Sequence, residues 1–316
     1  MINLFCIIIC VLSIIFNILS SIFIKKESLN PHFLKEDFTN FTFVTVPREP
    51  KTPTQFALLR FVVSSWIMSS NNSRAIFIIN PSEFDVNHTL LKAVEDDFGP
   101  GKLIYQPTLK VSRNNVPYIN NFFESAVYST PFNILTLINS DILILPGWID
   151  KINQIFEIFG ETAFITGYRL NIDVEDYSVL LNRSFKNFDL MKFINSCPQT
   201  EYSYRGMDFF TFLNHPDSKF FENIPPFLMG QYEWDNWLVG KMNLLYQTIS
   251  LGPDFRVVHI NHPSFPRKRF NEYSAYNKRL RFMYYAPTSD NKHTKWTFMN
   301  RTKIVSEDKK IEMFLK

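Results

Sequence analysis

The sequence predicts an α/β fold, a mostly parallel sheet with helices on both faces. Three observations predict it. From residue 42 onward, short β-branched and aromatic runs alternate with segments whose apolar residues recur at helical spacing. Those runs are apolar nearly throughout, as strands covered on both faces are. Hydrophobic residues make up 46% and charged residues 20% of 316, a globular balance that can fill such a core.

The elements follow in order. Thr42 to Val46 (TFVTV) reads as a first strand. Thr52-Pro-Thr-Gln55 is a capping-box pattern with Pro at the first helical position, and Phe56, Leu59, Val63 and Trp66 continue it as a helix. Ala75 to Ile79 (AIFII) is a second strand. Val86, Leu90, Val94 and Phe98 mark a helix that stops at Gly99-Pro-Gly101. Lys102 to Tyr105 is a third strand, and a helix from about Pro117 carries Phe122, Ala126 and Val127 on one side. Phe132 to Ile138 (FNILTLI) is the most apolar strand. Trp148 to Phe159 is a helix closed by Gly160, and Ala163 to Thr166 a fifth strand. Past residue 170 the alternation weakens. Residues 171–205 read as mixed, Met207 to Phe212 as a strand, and Phe255 to Ile260 as the last strand. In parallel sheets ligands bind beyond the carboxyl ends of strands, so chemistry is sought there.

The N-terminus has its own signal. Leu4 to Ile24 is apolar and uncharged. About 20 such residues span a bilayer core. The leader MIN has no Lys or Arg and no small-x-small cleavage site follows, which favours an uncleaved anchor over a signal peptide. The expected organisation is an anchor at 1–26, a stem at 27–41, a globular α/β domain at 42–305 and a tail at 306–316. Lys25 and Lys26 argue for a cytosolic domain. Sequons at Asn40, Asn71, Asn87, Asn182 and Asn300 argue for a luminal or secreted one.

Several classes are excluded. A net charge of +3 without a basic-aromatic motif argues against nucleic acid. Cys6 and Cys10 sit in the apolar run, which leaves Cys197 and no disulfide framework or cysteine zinc site. There is no phosphate-binding G-x-x-x-x-G-K-[ST] loop, no G-x-G-x-x-G and no G-x-S-x-G.

Three motifs carry chemistry. Ile138-Asn139-Ser140-Asp141 ends the most apolar strand, where a carboxylate either caps a turn or holds Mg²⁺ or Mn²⁺ beside phosphate oxygens. YEWDNWLVG (232–240) puts Trp234, Trp237, Leu238 and Lys241 at i, i+3, i+4 and i+7 of a helix. Its acids, Glu233 and Asp235, lie about 200° apart around the axis, so they are alternatives. Either they complement the helix dipole, or Asp235 is a general base with Trp234 offering a face to a sugar ring. VHINH places His259 and His262 at the last strand end as candidate metal ligands, and Arg267-Lys-Arg269 follows as a candidate diphosphate clamp.

Taken in order, TFVTVPREP, NVPYINNFFESA, INSDILILPGW, GMDFFTF, IPPFLMGQYEWDNWLVG and RVVHINHPSF resemble the nucleotide-diphospho-sugar transferase-like proteins of the GT-A glycosyltransferase fold, in the branch with a W-D-N-W-L helix. The resemblance covers residues 42–300. It implies a Rossmann-like GT-A domain that moves a sugar from a nucleotide-diphosphate donor to a hydroxyl acceptor with a divalent cation. Asp141 then matches the last acid of the metal motif and Asn139 its first position, a neutral departure from the family pattern. Asp235, with Glu233 as its alternative, matches the acid that in inverting members serves as base or acceptor ligand, and His259 or His262 the late metal ligand. Pro47, Arg48 and Asn80 match the nucleotide subsite, and Ser140, Trp234, Asn236 and Arg267 complete the substrate set. An anchor, a stem and a luminal domain is the layout of Golgi transferases. The alternatives are a silent GT-A domain that binds a glycan or nucleotide, a nucleotidyltransferase on the same fold, and a plain interaction protein.

Overall fold

The computed structural model describes residues 40–316 apart from 86, 131–133, 182, 215–222, 253–254, 262–271, 301–302, 307–311 and 315–316. The apolar run Leu4–Ile24 lies outside the described residues. Among those described, no helix is long and apolar enough to cross a membrane.

The first half follows the expected alternation. β1 (Phe41–Thr45) leads to α1 (Pro53–Met68), β2 (Ser73–Ile78), α2 (Thr89–Phe98), β3 (Leu103–Gln106), α3 (Ile119–Ser129) and β4 (Ile134–Ile138). Local chemistry sets the helix starts. Thr52 Oγ1 accepts from the Gln55 amide at 3.2 Å, while Gln55 Oε1 accepts from the Lys51 amide at 2.7 Å. The return arm of the predicted capping box therefore lands one residue earlier than expected. At α2 the Asp85 carboxylate accepts from the amides of Thr89, Leu90 and Leu91. It satisfies the orphan donors there, so the helix starts at Thr89.

The second half holds β5 (Ile142–Leu143), α4 (Trp148–Phe159), β6 (Ala163–Gly167), β7 (Arg169–Ile172), α5 (Leu190–Ser196), β8 (Gln199–Glu201) and β9 (Phe209–Leu213). Then come α6 (Trp234–Leu245), β10 (Gln247–Leu251), β11 (Val257–Ile260), α7 (Glu272–Met283), β12 (Trp296–Asn300), β13 (Lys303–Ser306) and β14 (Glu312–Phe314). The sequence reading named neither β10, α7 nor the three C-terminal strands. Glu312–Phe314, inside the predicted tail, pairs with β13.

The large sheet runs β14-β13-β12-β10-β6-β9-β4-β1-β2-β3. β3, β2, β1 and β4 are mutually parallel, as are β6, β10 and β12. The expectation of a mostly parallel sheet needs one correction: β9 runs antiparallel between β4 and β6, and β13 and β14 are antiparallel at one edge. A second sheet, β5-β11-β7-β8, forms from segments just beyond β4 and β6.

Period-two alternation divides the core into two layers. Phe43, Phe77 and Ile165 face Trp66 of α1 and Trp148 of α4. Val44, Ile76, Leu137 and Phe164 face Phe123 of α3 and Trp237 and Leu238 of α6. Helices thus cover both faces, as predicted. The aromatic content concentrates in stacks such as Phe43 on Trp66, with ring centroids 5.8 Å apart.

Candidate functional site

The most apolar strand delivers the first acid. β4 ends at Ile138, and Asn139 to Asp141 turn the chain into β5, with the Ile142 amide donating to the Asn139 carbonyl at 3.3 Å. β5 pairs antiparallel with β11, setting His259 opposite Ile142. The Ile260 amide donates to the Asp141 carbonyl at 3.2 Å, and His259 Nε2 comes within 3.5 Å of Asp141 Oδ2. Two predicted metal ligands, 118 residues apart in sequence, thus meet across a short antiparallel pair. His262, the other candidate, and Arg267 lie outside the described residues.

A third group joins them that sequence reasoning missed. Because β9 is antiparallel, its amino end lies at the carboxyl end of β4, with Phe209 opposite Ile138. The ladder continues one step further, the Asn139 amide donating to the Asp208 carbonyl at 2.9 Å. Asn139 Nδ2 also donates to Asp208 Oδ1 at 2.9 Å. Arg169, at the start of β7, donates from Nη1 to both Asp208 carboxylate oxygens at 2.8 and 2.9 Å. Its guanidinium lies 3.7 Å above the Tyr202 ring. Gly206 permits that fold of the chain, since a Cβ there would stand 2.6 Å from the Tyr202 ring. Burial pushes the Asp208 carboxyl up, Arg169 opposes this, Asp141 adds to it and His259 opposes it. That mutual influence ties Asp208 to Asp141 and His259 as one electrostatic group.

α6 supplies the candidate base. Trp237 and Leu238 are buried, with Trp237 against Phe227 at 5.4 Å and its Nε1 donating to the Tyr284 carbonyl. These are the packing residues that the helical spacing predicted. Trp234 is half-buried and meets Phe210 edge-on at 5.7 Å. Glu233 lies outside the helix as its cap, with φ of 89° and ψ of −29°. Arg281 of α7 donates to its carboxylate at 2.6 Å. Asn236 donates from Nδ2 to the Ser289 carbonyl at 2.8 Å, which fastens the 286–293 segment to the helix.

Asp235 is different. Desolvation pushes its carboxyl up to about 6; backbone donors at Asn236 and Asp235 oppose the rise, while the charges of Asp208 and Glu233 add to it. Among the described groups no cation pairs with it within ion-pair distance. The helix start therefore sends Glu233 to Arg281 and leaves Asp235 in electrostatic reach of Asp208.

The predicted nucleotide subsite lies at the parallel strand ends. Pro47 is buried and Arg48 exposed just past β1. Asn80 follows β2, its Oδ1 accepting from the Ser82 amide and hydroxyl at 3.3 and 2.8 Å, an Asx turn. Ser140 is half-buried in the β4 turn.

Asp141 and His259 form a donor pair for a divalent cation. A carboxylate and an imidazole 3.5 Å apart can share one divalent ion, the carboxylate suiting Mg²⁺ or Mn²⁺ and the imidazole a first-row transition metal. Among the described residues no three His, Cys, Asp or Glu side chains form a metal-holding group. Two protein donors, with water and phosphate oxygens completing the shell, is a mode open to such ions.

No protein-family model matches the chain, and no curated protein matches it. Among solved structures it is similar to glucosyl-3-phosphoglycerate synthase from Mycobacterium tuberculosis in complex with Mn²⁺, UDP and phosphoglyceric acid, with a TM-score of 0.41 and 10% identity over 79% of this chain and 80% of that one. Another structure of that synthase from M. tuberculosis gives 0.40 and 10% over 78% and 80%. A mycobacterial protein gives 0.36 and 8% over 71% and 68%. At this level of similarity the neighbours say nothing about the residues of this chain.

Proposed function

We propose that the chain is a glycosyltransferase of the GT-A type, which moves a sugar from a nucleoside-diphosphate donor to a hydroxyl acceptor. The observation that carries the reading is Asp235. It is a carboxylate raised to about 6, with no ion-pair partner among the described residues, within electrostatic reach of Asp208, which in turn feels the charges of Asp141 and His259. Catalytic bases tuned toward neutrality have this signature.

In this reading the acceptor hydroxyl attacks the anomeric carbon, the bond from that carbon to the diphosphate oxygen breaks, and Asp235 takes the hydroxyl proton. The direct displacement inverts the anomeric centre. Trp234 borders the acceptor, and Pro47, Arg48, Asn80 and Ser140 border the nucleotide and its phosphates. Asp141 and His259 would hold a divalent cation, whose charge favours departure of the diphosphate. The apolar run Leu4–Ile24, with sequon residues Asn40, Asn71 and Asn87 all exposed, supports a membrane-anchored protein with a luminal domain.

The test uses the full chain in detergent, with UDP- and GDP-sugars, with and without Mn²⁺, beside Asp141→Ala and Asp235→Ala. Sugar release or transfer lost in both variants is expected. Turnover untouched by both substitutions sinks the reading. One observation favours a second reading, a silent nucleotide-binding domain: the Asn139 amide is committed to Asp208, so the β4 turn has a single acid. Nucleotide binding without turnover would select it.

A further inference from the structure

Asn139 stands where the family resemblance expects an acid, and its surroundings bear on why. Its amide nitrogen donates to Asp208 Oδ1 at 2.9 Å and its backbone amide donates to the Asp208 carbonyl at the same distance. The residue is therefore clamped twice, once by side chain and once by main chain, to the foot of β9. Asp208 itself is buried, with a relative exposure of 8%, and Arg169 holds both of its oxygens. A carboxylate at 139 would meet the Asp208 carboxylate at hydrogen-bond distance with no proton donor between them. Asn139 is itself exposed, but its partner is buried, and two anions at that distance repel more than a fully exposed pair would.

We propose that Asp208 is the second carboxylate of the crevice, supplied by β9 in place of the β4 turn, and that Asn139 must be neutral because it clamps Asp208. Asp208 is then a positioning residue. Its hold on Asn139 fixes the 139–142 turn, and that turn brings the Asp141 carboxylate within 3.5 Å of His259 Nε2. Arg169 is the built-in counter-ion, pre-oriented by its stack on Tyr202. The neutral residue at 139 is then no mark of a lost activity. The choice of 139 and 208 is reciprocal, with one acid and one amide whichever strand carries the acid. This rests on the proposed function only where cation binding is the readout.

The test is a swap made in the full chain: Asn139→Asp, Asp208→Asn and the two together. Thermal unfolding is followed for each, and Mn²⁺ binding with UDP or GDP is followed by calorimetry. Asn139→Asp is expected to lower the melting temperature by about 5 °C or more and to weaken Mn²⁺ binding roughly tenfold or more. The double variant, which restores one acid and one amide, is expected to recover most of both losses. If Asn139→Asp does not fold, recovery of a folded chain in the double variant decides the matter. Overturning results are an Asn139→Asp protein that melts and binds like the parent, or a double variant no better than the sum of the singles. A parent chain that binds no nucleotide with Mn²⁺ would count against the proposed function, while the melting cycle still decides the clamp.

Discussion

The foot of β9 and the first turn of α6 each carry a carboxylate whose ionised form is penalised by desolvation, and the two are held differently. Asp208 has a guanidinium on both oxygens and an amide on one of them. Asp235 has the amide of its own neighbour, Asn236, at 2.9 Å and, among the described residues, no cation. Burial raises both, but only at Asp208 does an opposing cation follow as the next influence. The difference separates architecture from chemistry. A buried charge with its counter-ion fixes geometry, and one without a counter-ion can take up and release a proton near neutral pH. Glu233 makes the same point at shorter range. Two residues from Asp235, it is engaged by Arg281, and the helix start thereby gives the two acids different surroundings.

Substitutions at the two carboxylate sites sharpen this contrast. The largest effect is expected for Asp235→Ala, which should lower the transfer rate by about 10²–10⁴-fold, as loss of a general base does, while leaving circular dichroism and the melting temperature near those of the parent. At the other site Arg169→Ala should act on stability first. It strands a buried carboxylate, and urea unfolding should show a loss of about 3–5 kcal/mol. If instead Asp235→Ala unfolds the protein and Arg169→Ala only slows it, the contrast is inverted.

The frame that carries Asp235 offers the next test. A Cβ on Gly240 would lie 1.4 Å from the Pro287 carbonyl oxygen, so the 286–289 segment fits against α6 only because position 240 has no side chain. Gly240→Ala is expected to cost about 1–3 kcal/mol, with the rate falling because Asn236 loses its hold on Ser289.

The pH dependence carries two opposite signs. As a base, Asp235 must be ionised, so kcat/KM should rise with pH and level off above about 6. For stability the raised value works the other way. The folded chain binds the proton more tightly than the unfolded chain, so the stabilising contribution is complete below about 4 and is lost as pH rises through about 6. Asp235→Asn should therefore flatten the acid limb of the rate and melt higher than the parent above pH 6. An unchanged acid limb in that variant would assign the titration to another group.

The smallest effect is expected at Glu233. Its φ of 89° is a conformation that side chains resist by roughly 1–2 kcal/mol, and the Arg281 ion pair offsets it. Glu233→Gly removes both, so denaturant midpoints should move little, while Glu233→Ala, which keeps the strain and loses the pair, should be the less stable of the two.

Much of this was legible in sequence where the signal is local. The capping threonine, the helical spacing from Trp148 to Phe159 and the apolar strand before Asp141 follow from propensity and period, and the structure has them within a residue or two at most ends. The second half was harder to read. β10 (QTISL) is central, but its polar residues hide it: Thr248 and Ser250 are buried and their strand partners lie in β6 and β12.

By itself, then, the sequence determined the βα units, their two-sided burial and the placing of Asp141 at a strand end, because each depends on neighbours within a few turns of chain. The tertiary structure alone decided the direction of β9. That reversal carries Asp208 to the carboxyl end of β4 from the amino end of its own strand, where a rule for parallel sheets does not look. It also decided which acid beside Trp234 receives a cation, since Arg281 lies 48 residues from Glu233. Strand direction and charge pairing are set by long-range contacts, and neither has a local period for a sequence to display.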